Sequence, residues 1–246
     1  PPSLWQLTGL RTLNLADNRL AALPEGIGSL SNLHMLDLGH NQLAALPPAL
    51  GNLRRLQFLY LADNQLDTLP DALGSLASLR YLNCASNRLA ALPAELGKLA
   101  NLVELRLYHN QLATLPDSLG ELAHLRELHA MDNALTGLPQ SIGGLAALRK
   151  LDLQDNQLTS LPGALGKLVS LAELNLRNNR LAALPPSVAN LDSLRHLDLR
   201  ANPLQMLPAG LADLPHLEKL DLRWTRLSPL PAWLENLERR GCLVYV

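Results

Sequence analysis

The residue types that could do covalent or metal chemistry are thinly spread in this chain. Seven histidines and two cysteines are present. Counted in the steps of 23 residues that recur throughout, only His109 and His129 fall on outward positions of adjacent segments, where two imidazoles could approach one another. A metal ion would need a third donor beside them, and the sequence offers none, so the expectation is two solvent-facing polar residues and no metal. Side-chain catalysis needs an activated nucleophile or an acid/base pair converging in a pocket. No phosphate loop, His-Glu-x-x-His metal motif or Gly-x-Ser-x-Gly elbow occurs. The chain therefore reads as non-enzymatic, with no cofactor.

The sequence concentrates non-covalent contact chemistry instead. Met35, Phe58, Tyr60, Tyr81, Tyr108 and Met131 include the single Phe, three of the four Tyr and two of the three Met, and all are expected to face outward. Arg106, His109 and His129 lie among them. Exposed aromatic and Met side chains gathered on one surface are the material of a binding hot spot, although the rings could also stack laterally and only strengthen neighbouring strands. Further along, Arg177, Arg200 and Arg223 form a file beside Asp152, Asp198 and Asp221. Alternating charges in water contribute little to stability, so this group reads as a solvated flank that tunes orientation and association rate. Trp224, next to Arg223, is expected to pack into a C-terminal cap with Trp233.

The element that must position these residues is one repeated unit. Asn18, Asn41, Asn64, Asn87, Asn110, Asn133, Asn156, Asn179 and Asn202 recur every 23 residues without an insertion, and Thr225 takes the tenth place. Around each, the frame Leu-x-x-Leu-x-Leu-x-x-Asn alternates at its centre, the mark of a short strand with one buried face. Successive units return in the same direction, so the strands must pair in parallel. The Asn sits where the chain leaves the strand and can satisfy backbone groups that a Leu would leave orphaned. The following Leu-Pro ends the turn, and x-x-Leu-Gly-x-Leu-x-x-Leu has helical spacing over barely two turns, too short to stand alone.

This frame resembles that of leucine-rich repeat proteins from residue 4 to residue 237. The Leu-Pro-x-x-Leu-Gly-x-Leu variant, as in Leu69, Pro70, Leu73, Gly74 and Leu76, is similar to the intracellular kind found in Ras-pathway and cell-polarity scaffolds and in plant and bacterial relatives. The resemblance implies an α/β horseshoe with a parallel concave sheet and short helical or irregular convex segments, and a surface that binds other macromolecules, usually proteins. It predicts ten 23-residue units over residues 1–237 and a capping turn and strand over 238–246. Four positions depart from the frame: Cys84 and Ala130 stand where a strand Leu belongs, Thr225 replaces an Asn, and Pro203 directly follows Asn202. Pro1 is in register with Pro24, so the chain is expected to begin inside a unit. The start offers little cap beyond Leu4, Trp5 and Leu7.

Composition bounds the partners. With 21 Lys and Arg against 22 Asp and Glu, no whole-chain field draws it to nucleic acid or an anionic bilayer. Apolar runs fall far short of the ~20 residues that span one. Cys84 and Cys242 occupy units too far apart to pair, roughly 33 Å at ~4.8 Å per strand. Unclustered cysteines and the absence of a signal peptide or an Asn-x-Ser/Thr site point to a cytoplasmic setting, a bacterial one or a host cytosol for a secreted effector. The expected partner is a protein held on the concave face from Met35 to Met131. Alternatives are substrate recognition for an attached effector enzyme, peptide or carbohydrate binding, and self-association through the same face.

Overall fold

The computed structural model describes residues 2–246; Pro1, and with it the expected register with Pro24, lies outside the described residues. Eleven three-residue strands form one open sheet, wholly parallel and ordered as they occur in the chain. They are β1 Thr12–Asn14, β2 Met35–Asp37, β3 Phe58–Tyr60, β4 Tyr81–Asn83, β5 Glu104–Arg106, β6 Glu127–His129, β7 Lys150–Asp152, β8 Glu173–Asn175, β9 His196–Asp198, β10 Lys219–Asp221 and β11 Leu243–Tyr245. Pairing joins residues 23 apart, for example Phe58 to Tyr81 to Glu104. The columns inferred by adding 23 are therefore the physical columns of the sheet.

The middle residue of each strand points to the core. Leu36, Leu59, Leu82, Leu105 and Leu128 are fully buried, and Cys84 and Ala130 fill their leucine places just as completely. The convex segments are short and helical, as expected, and take the 3-10 form. From Glu25–Ser29 to Ala209–Asp213 each is a five-residue 3-10 turn such as Asp71–Ser75, preceded by an extended Pro, with the Leu after it donating back three residues, as Leu76 N–H does to Leu73 O. A run this short cannot repay nucleation of an α-helix, and the tighter turn lets adjacent units stack closely. Gly97 and Gly120 sit at that contact: a Cβ there would lie 2.3 Å from Ser118 O and 2.1 Å from Ser141 O.

Asparagine knits the units together. Asn87 Nδ2 donates to Leu61 O, Cys84 O and Ala85 O at 2.9–3.1 Å, and its Oδ1 accepts from Leu66 N–H at 3.0 Å. The same set recurs at Asn41, Asn64, Asn156, Asn179 and Asn202. Asn18, in the first unit, is exposed and bonds only Leu15 O and Ala16 O. The residue before each Asn, and before Thr225 in the tenth place, holds a positive φ of 52–61°, from Asp17 through His40 and His109 to Trp224. Most are residue types whose short polar side chains tolerate that region; Trp224 is the bulky exception.

At the C-terminal end, α1 Leu234–Arg239 buries Leu234 and Leu237 and leads into β11, which pairs with β10 and covers its edge. The sequence frame alone did not indicate this helix. Trp233 packs partly buried against the core, but Trp224 does not join it. Trp224 is 67% exposed, its backbone turned outward and its ring 5.7 Å from the Arg223 guanidinium. At the other end, Leu4 and Trp5 pack on the core and Trp5 lies over Gly26, whereas Leu7 is exposed. Cys84 and Cys242 are both free and buried, and burial pushes the Cys84 thiol up to about 12. Among the described residues no helix is long and apolar enough to cross a membrane.

Candidate functional site

Because side chains alternate across a strand, the first and third residues of β2 to β6 project from the concave face while the middle Leu anchors each strand. On this face Phe58 is 38% exposed. The Tyr60 and Tyr81 rings meet at 5.0 Å with a 41° tilt, and the Arg106 guanidinium lies 5.6 Å from the Tyr81 centroid. Burial raises the Tyr81 hydroxyl above its ordinary value, opposed by the Arg106 charge, so it stays a neutral donor and acceptor. Met35, Tyr108 and Met131 are half-buried on the same face. The two readings of the aromatics thus coexist: Tyr60 and Tyr81 do stack laterally, and Phe58 still faces solvent.

The two histidines behave differently from the sequence expectation. His129 is buried, not solvent-facing, and its Nε2 meets Glu127 Oε2 at 3.0 Å. His109 occupies the positive-φ turn, pairs with Asp132 at 2.9 Å and stands edge-on to Tyr108 at 5.3 Å. Each ring engages its own carboxylate. The structure instead brings Glu104 and Glu127 beside His129, with one ligand atom of each within 4.8 Å of the others. Those donor types suit a divalent cation, yet Arg106 Nε already holds Glu104 Oε1 at 2.6 Å. The network is therefore an internally paired patch in the middle of the face. Its signal was available, since Glu104 and Glu127 are neighbours in one column and His129 lies two residues past Glu127.

The charged flank is less solvated than expected. Asp221 is fully buried and takes Arg223 Nε at 2.9 Å and Nη2 at 2.7 Å, with Arg200 Nε at 3.5 Å. Burial alone would raise its carboxyl, but the Arg223 hydrogen bonds and the charges of Arg200 and Arg223 outweigh it and hold the group below its ordinary value. Arg200 grips Asp198 through Nε at 2.9 and 3.0 Å. Arg177 makes no ion pair among the described residues, and Asp152 is raised by burial despite a bond from Gln154 N–H. Arg223 and Lys219 both lie over the Tyr245 ring, at 5.2 and 5.5 Å, which ties this end of the file to the cap strand. An open cavity of about 280 Å³ lies over β7 to β10, among Lys150, Asp152, Glu173, Asn175 and His196. The aromatic strip offers the exposed Phe58 and the half-buried Met35, Tyr60, Tyr81, Tyr108 and Met131.

Sequence models of a leucine-rich repeat region match residues 2–80 and 68–155, and further leucine-rich repeat models match 146–190 and 170–227. The chain belongs to the leucine-rich repeat family. No curated protein sequence matches it. Among solved structures, this repeat protein is similar to the leucine-rich repeat ectodomain of the plant membrane receptor kinase GASSHO1/SCHENGEN3 from Arabidopsis thaliana, solved in complex with CASPARIAN STRIP INTEGRITY FACTOR 2. The identity is 35% and the TM-score 0.77, over 93% of this chain and 29% of that one. The functional domain of InlJ from Listeria monocytogenes is 25% identical, TM-score 0.80, over 95% and 48%. An octameric complex of Latrophilin 3, Unc5D and the leucine-rich repeats of FLRT2 matches at 27%, TM-score 0.78, over 95% and 77%. The chain thus spans less than half of the first two. The family is commonly a protein-interaction module built on a non-enzymatic scaffold.

Proposed function

We propose that this leucine-rich repeat protein is a non-catalytic binding module, that its ligand is a protein, and that the contact is the concave face from Met35 to Met131. The observation that carries this reading is the placement of Phe58, Tyr60, Tyr81 and Tyr108 on a sheet whose opposite side already has a continuous leucine core. Such rings add large contact area at low entropic cost. Arg106 and His129 are held by their own carboxylates, so they offer fixed donors at the centre of the patch. Asp152, Arg177, Asp198, Arg200, Asp221 and Arg223 form its polar flank, where unpaired Arg177 is the member most able to meet a partner's carboxylate. Similar structures solved with a bound factor or in a multiprotein complex support the same use. We place residues 1–237 as the binding array, 238–246 as its cap, and the protein in a cytoplasmic setting on the strength of its two buried free cysteines.

The test compares wild type with a Tyr60→Ala, Tyr108→Ala double variant. Proteins captured from lysate by wild type are identified and then titrated calorimetrically against both forms. Loss of several kcal/mol, about 2–4 for each hot-spot ring, in a variant of unchanged circular dichroism supports the concave contact. Equal affinity in a folded double variant removes it. Sedimentation of wild type alone reports whether two copies occupy each other's concave faces instead.

A further inference from the structure

We propose that the sheet edge from which the strands start is a second binding surface, and that it takes an extended peptide segment carrying two oxyanion side chains four residues apart. The residue just before each strand lines this edge, and over β4 to β9 the file reads Arg80, Val103, Arg126, Arg149, Ala172, Arg195. It divides into two equal halves: Arg, a small apolar residue, Arg. In each half the small residue leaves a gap between guanidiniums two units apart, and an open cleft lies there, of about 400 Å³ at Val103 and 410 Å³ at Ala172.

Both clefts are lined with hydrogen-bonding groups besides arginine. The first holds Ser78, Asn101 and His124, the second Ser170, Ser193 and His216. Asn101 Nδ2 donates to Ala77 O and His124 Nδ1 to Ala100 O, both at 2.8 Å, which fixes these side chains to the scaffold and leaves Asn101 Oδ1 and His124 Nε2 free of protein partners among the described residues. Arg80, Arg126 and Arg149 are exposed and make no ion pair among the described residues, while Arg195 is held by Glu218. The backbone beneath is rigid: Arg80 O accepts from Val103 N–H at 2.8 Å and Glu104 N–H at 3.1 Å, and Arg149 O accepts from Ala172 and Glu173 in the same way. Unpaired guanidiniums on a fixed edge are forks suited to carboxylate or phosphate oxygens.

Spacing and sign select the ligand. The cleft centres are three strands apart, ~14 Å at ~4.8 Å per strand, and an extended peptide covers ~13.5 Å in four residues at ~3.4 Å each. An even separation also puts both acidic side chains on the same face of the peptide. A continuous polyanion fits less well, because Glu104, Glu127 and Glu173 follow directly on Val103, Arg126 and Ala172 and stand on the concave side of the clefts. A net charge of −1 adds no long-range attraction for nucleic acid. Discrete charges at cleft spacing avoid that repulsion.

The experiment is fluorescence anisotropy with labelled peptides of about twelve residues, extended by β-branched residues, carrying two phosphoserines or two glutamates either four or three positions apart. A single-stranded oligonucleotide is the polyanion control. The variants are Arg80→Gln with Arg126→Gln, Arg149→Gln alone, and Arg88→Gln with Arg180→Gln, exposed arginines on the opposite edge. We expect the four-spaced peptides to bind at least about tenfold tighter than the three-spaced ones, and each cleft variant to lose about tenfold, as charge-assisted forks imply. The opposite-edge variant should stay within about twofold, and Tyr60→Ala with Tyr108→Ala should bind normally, which separates this surface from the concave one. Preference for phosphoserine over glutamate, or the reverse, identifies the oxyanion and supports the proposal either way. Affinity independent of spacing, equal losses in the opposite-edge variant, tighter binding of the oligonucleotide, or no binding would overturn it.

Discussion

Replacing Asn87 by alanine removes four hydrogen bonds, but the partners do not suffer equally. Leu61 O also receives Asn64 Nδ2, Cys84 O receives Asn110 Nδ2, and Ala85 O receives Asp63 N–H. No carbonyl is orphaned. Leu66 N–H has only Asn87 Oδ1, and Leu66 is fully buried, so that donor bears the full penalty of ~1–3 kcal/mol for an unsatisfied buried group. The three redundant bonds add ~0.5 kcal/mol each at the low end of their net worth, which gives a total of about 2.5–4.5 kcal/mol. Asn18→Ala touches the same motif where water replaces it and should cost less than ~1 kcal/mol. Because neighbouring asparagines share carbonyls, Asn87→Ala with Asn110→Ala orphans Cys84 O as well, and the pair should exceed the sum of the singles by about 1 kcal/mol. Urea unfolding followed by circular dichroism measures all four proteins. A reduced slope in the variants would mean the array unfolds in two parts, split at the weakened joint. If Asn87→Ala costs no more than Asn18→Ala at unchanged slope, the asparagine ladder does not hold the units together and the reasoning fails.

Asp221 and Asp152 should respond to pH with opposite signs. The lowered folded-state value of Asp221 contributes stability above the unfolded carboxyl value of ~3.9 and loses it as pH falls through the folded value; Asp221→Asn should therefore lower Tm at neutral pH, with the difference shrinking in acid. Asp152 is raised, so its contribution is present below ~3.9 and lost as pH rises through the folded value, and Asp152→Asn should raise Tm at pH 7 and match wild type in acid; shifts of the same sign in both variants would contradict this. The hydroxyls of Ser118, Ser141 and Ser187 are buried without partners where other units carry Ala49, Ala72 and Ala164, so Ser141→Ala should be stabilising by up to about 1 kcal/mol, and a measured loss in chemical denaturation would show a hidden partner. Gly120→Ala forces a Cβ onto Ser141 O and should cost about 1–3 kcal/mol, which the same denaturation series checks; a neutral result would mean the stacked turns can slide apart.

Which parts of this were legible in the sequence follows from what repeats. Strand positions, register and core fell out of the 23-residue period because each is enforced by contacts to an identical neighbour, and the observed pairing of Phe58 with Tyr81 or His129 with Asp152 adds nothing the columns lacked. The asparagine's role was legible for the same reason, since a buried amide at a turn has few other uses. What the period could not show is side-chain direction where the unit is not followed by another like it. Trp224 has no neighbour of its kind, and its positive φ turns the ring outward instead of toward Trp233. Helix α1 lies where the frame ends and its leucines serve two patterns at once. Ion pairing was hidden too: two residues apart on one strand, Asp198 and Arg200 or Glu104 and Arg106 can join or ignore each other, and only the side-chain torsions decide.

The division of labour within a unit explains why binding surface can vary here at little structural cost. Leucine, asparagine, proline and glycine fill the positions that contact other units, so each unit is fixed before its outward residues are chosen. The outward positions of a unit, two on the strand and one just after it, then add one row of a surface, ~4.8 Å from the next. Over β2 to β6 the rows combine Met and aromatic residues with the Glu104, Arg106, Glu127 and His129 network, and over β7 to β10 they are charged, while the inward strand residue stays leucine throughout. The residue just before the strand is a fourth such position, facing the edge instead of the concave side, and the same independence applies to it. A guanidinium there is neither needed by the core nor neutralised by it, as Arg80, Arg126 and Arg149 show. In a molecule with a net charge of −1, their gathering on one edge is a property of position, invisible to composition, and it is the kind of feature that a solenoid's regular columns make testable one row at a time.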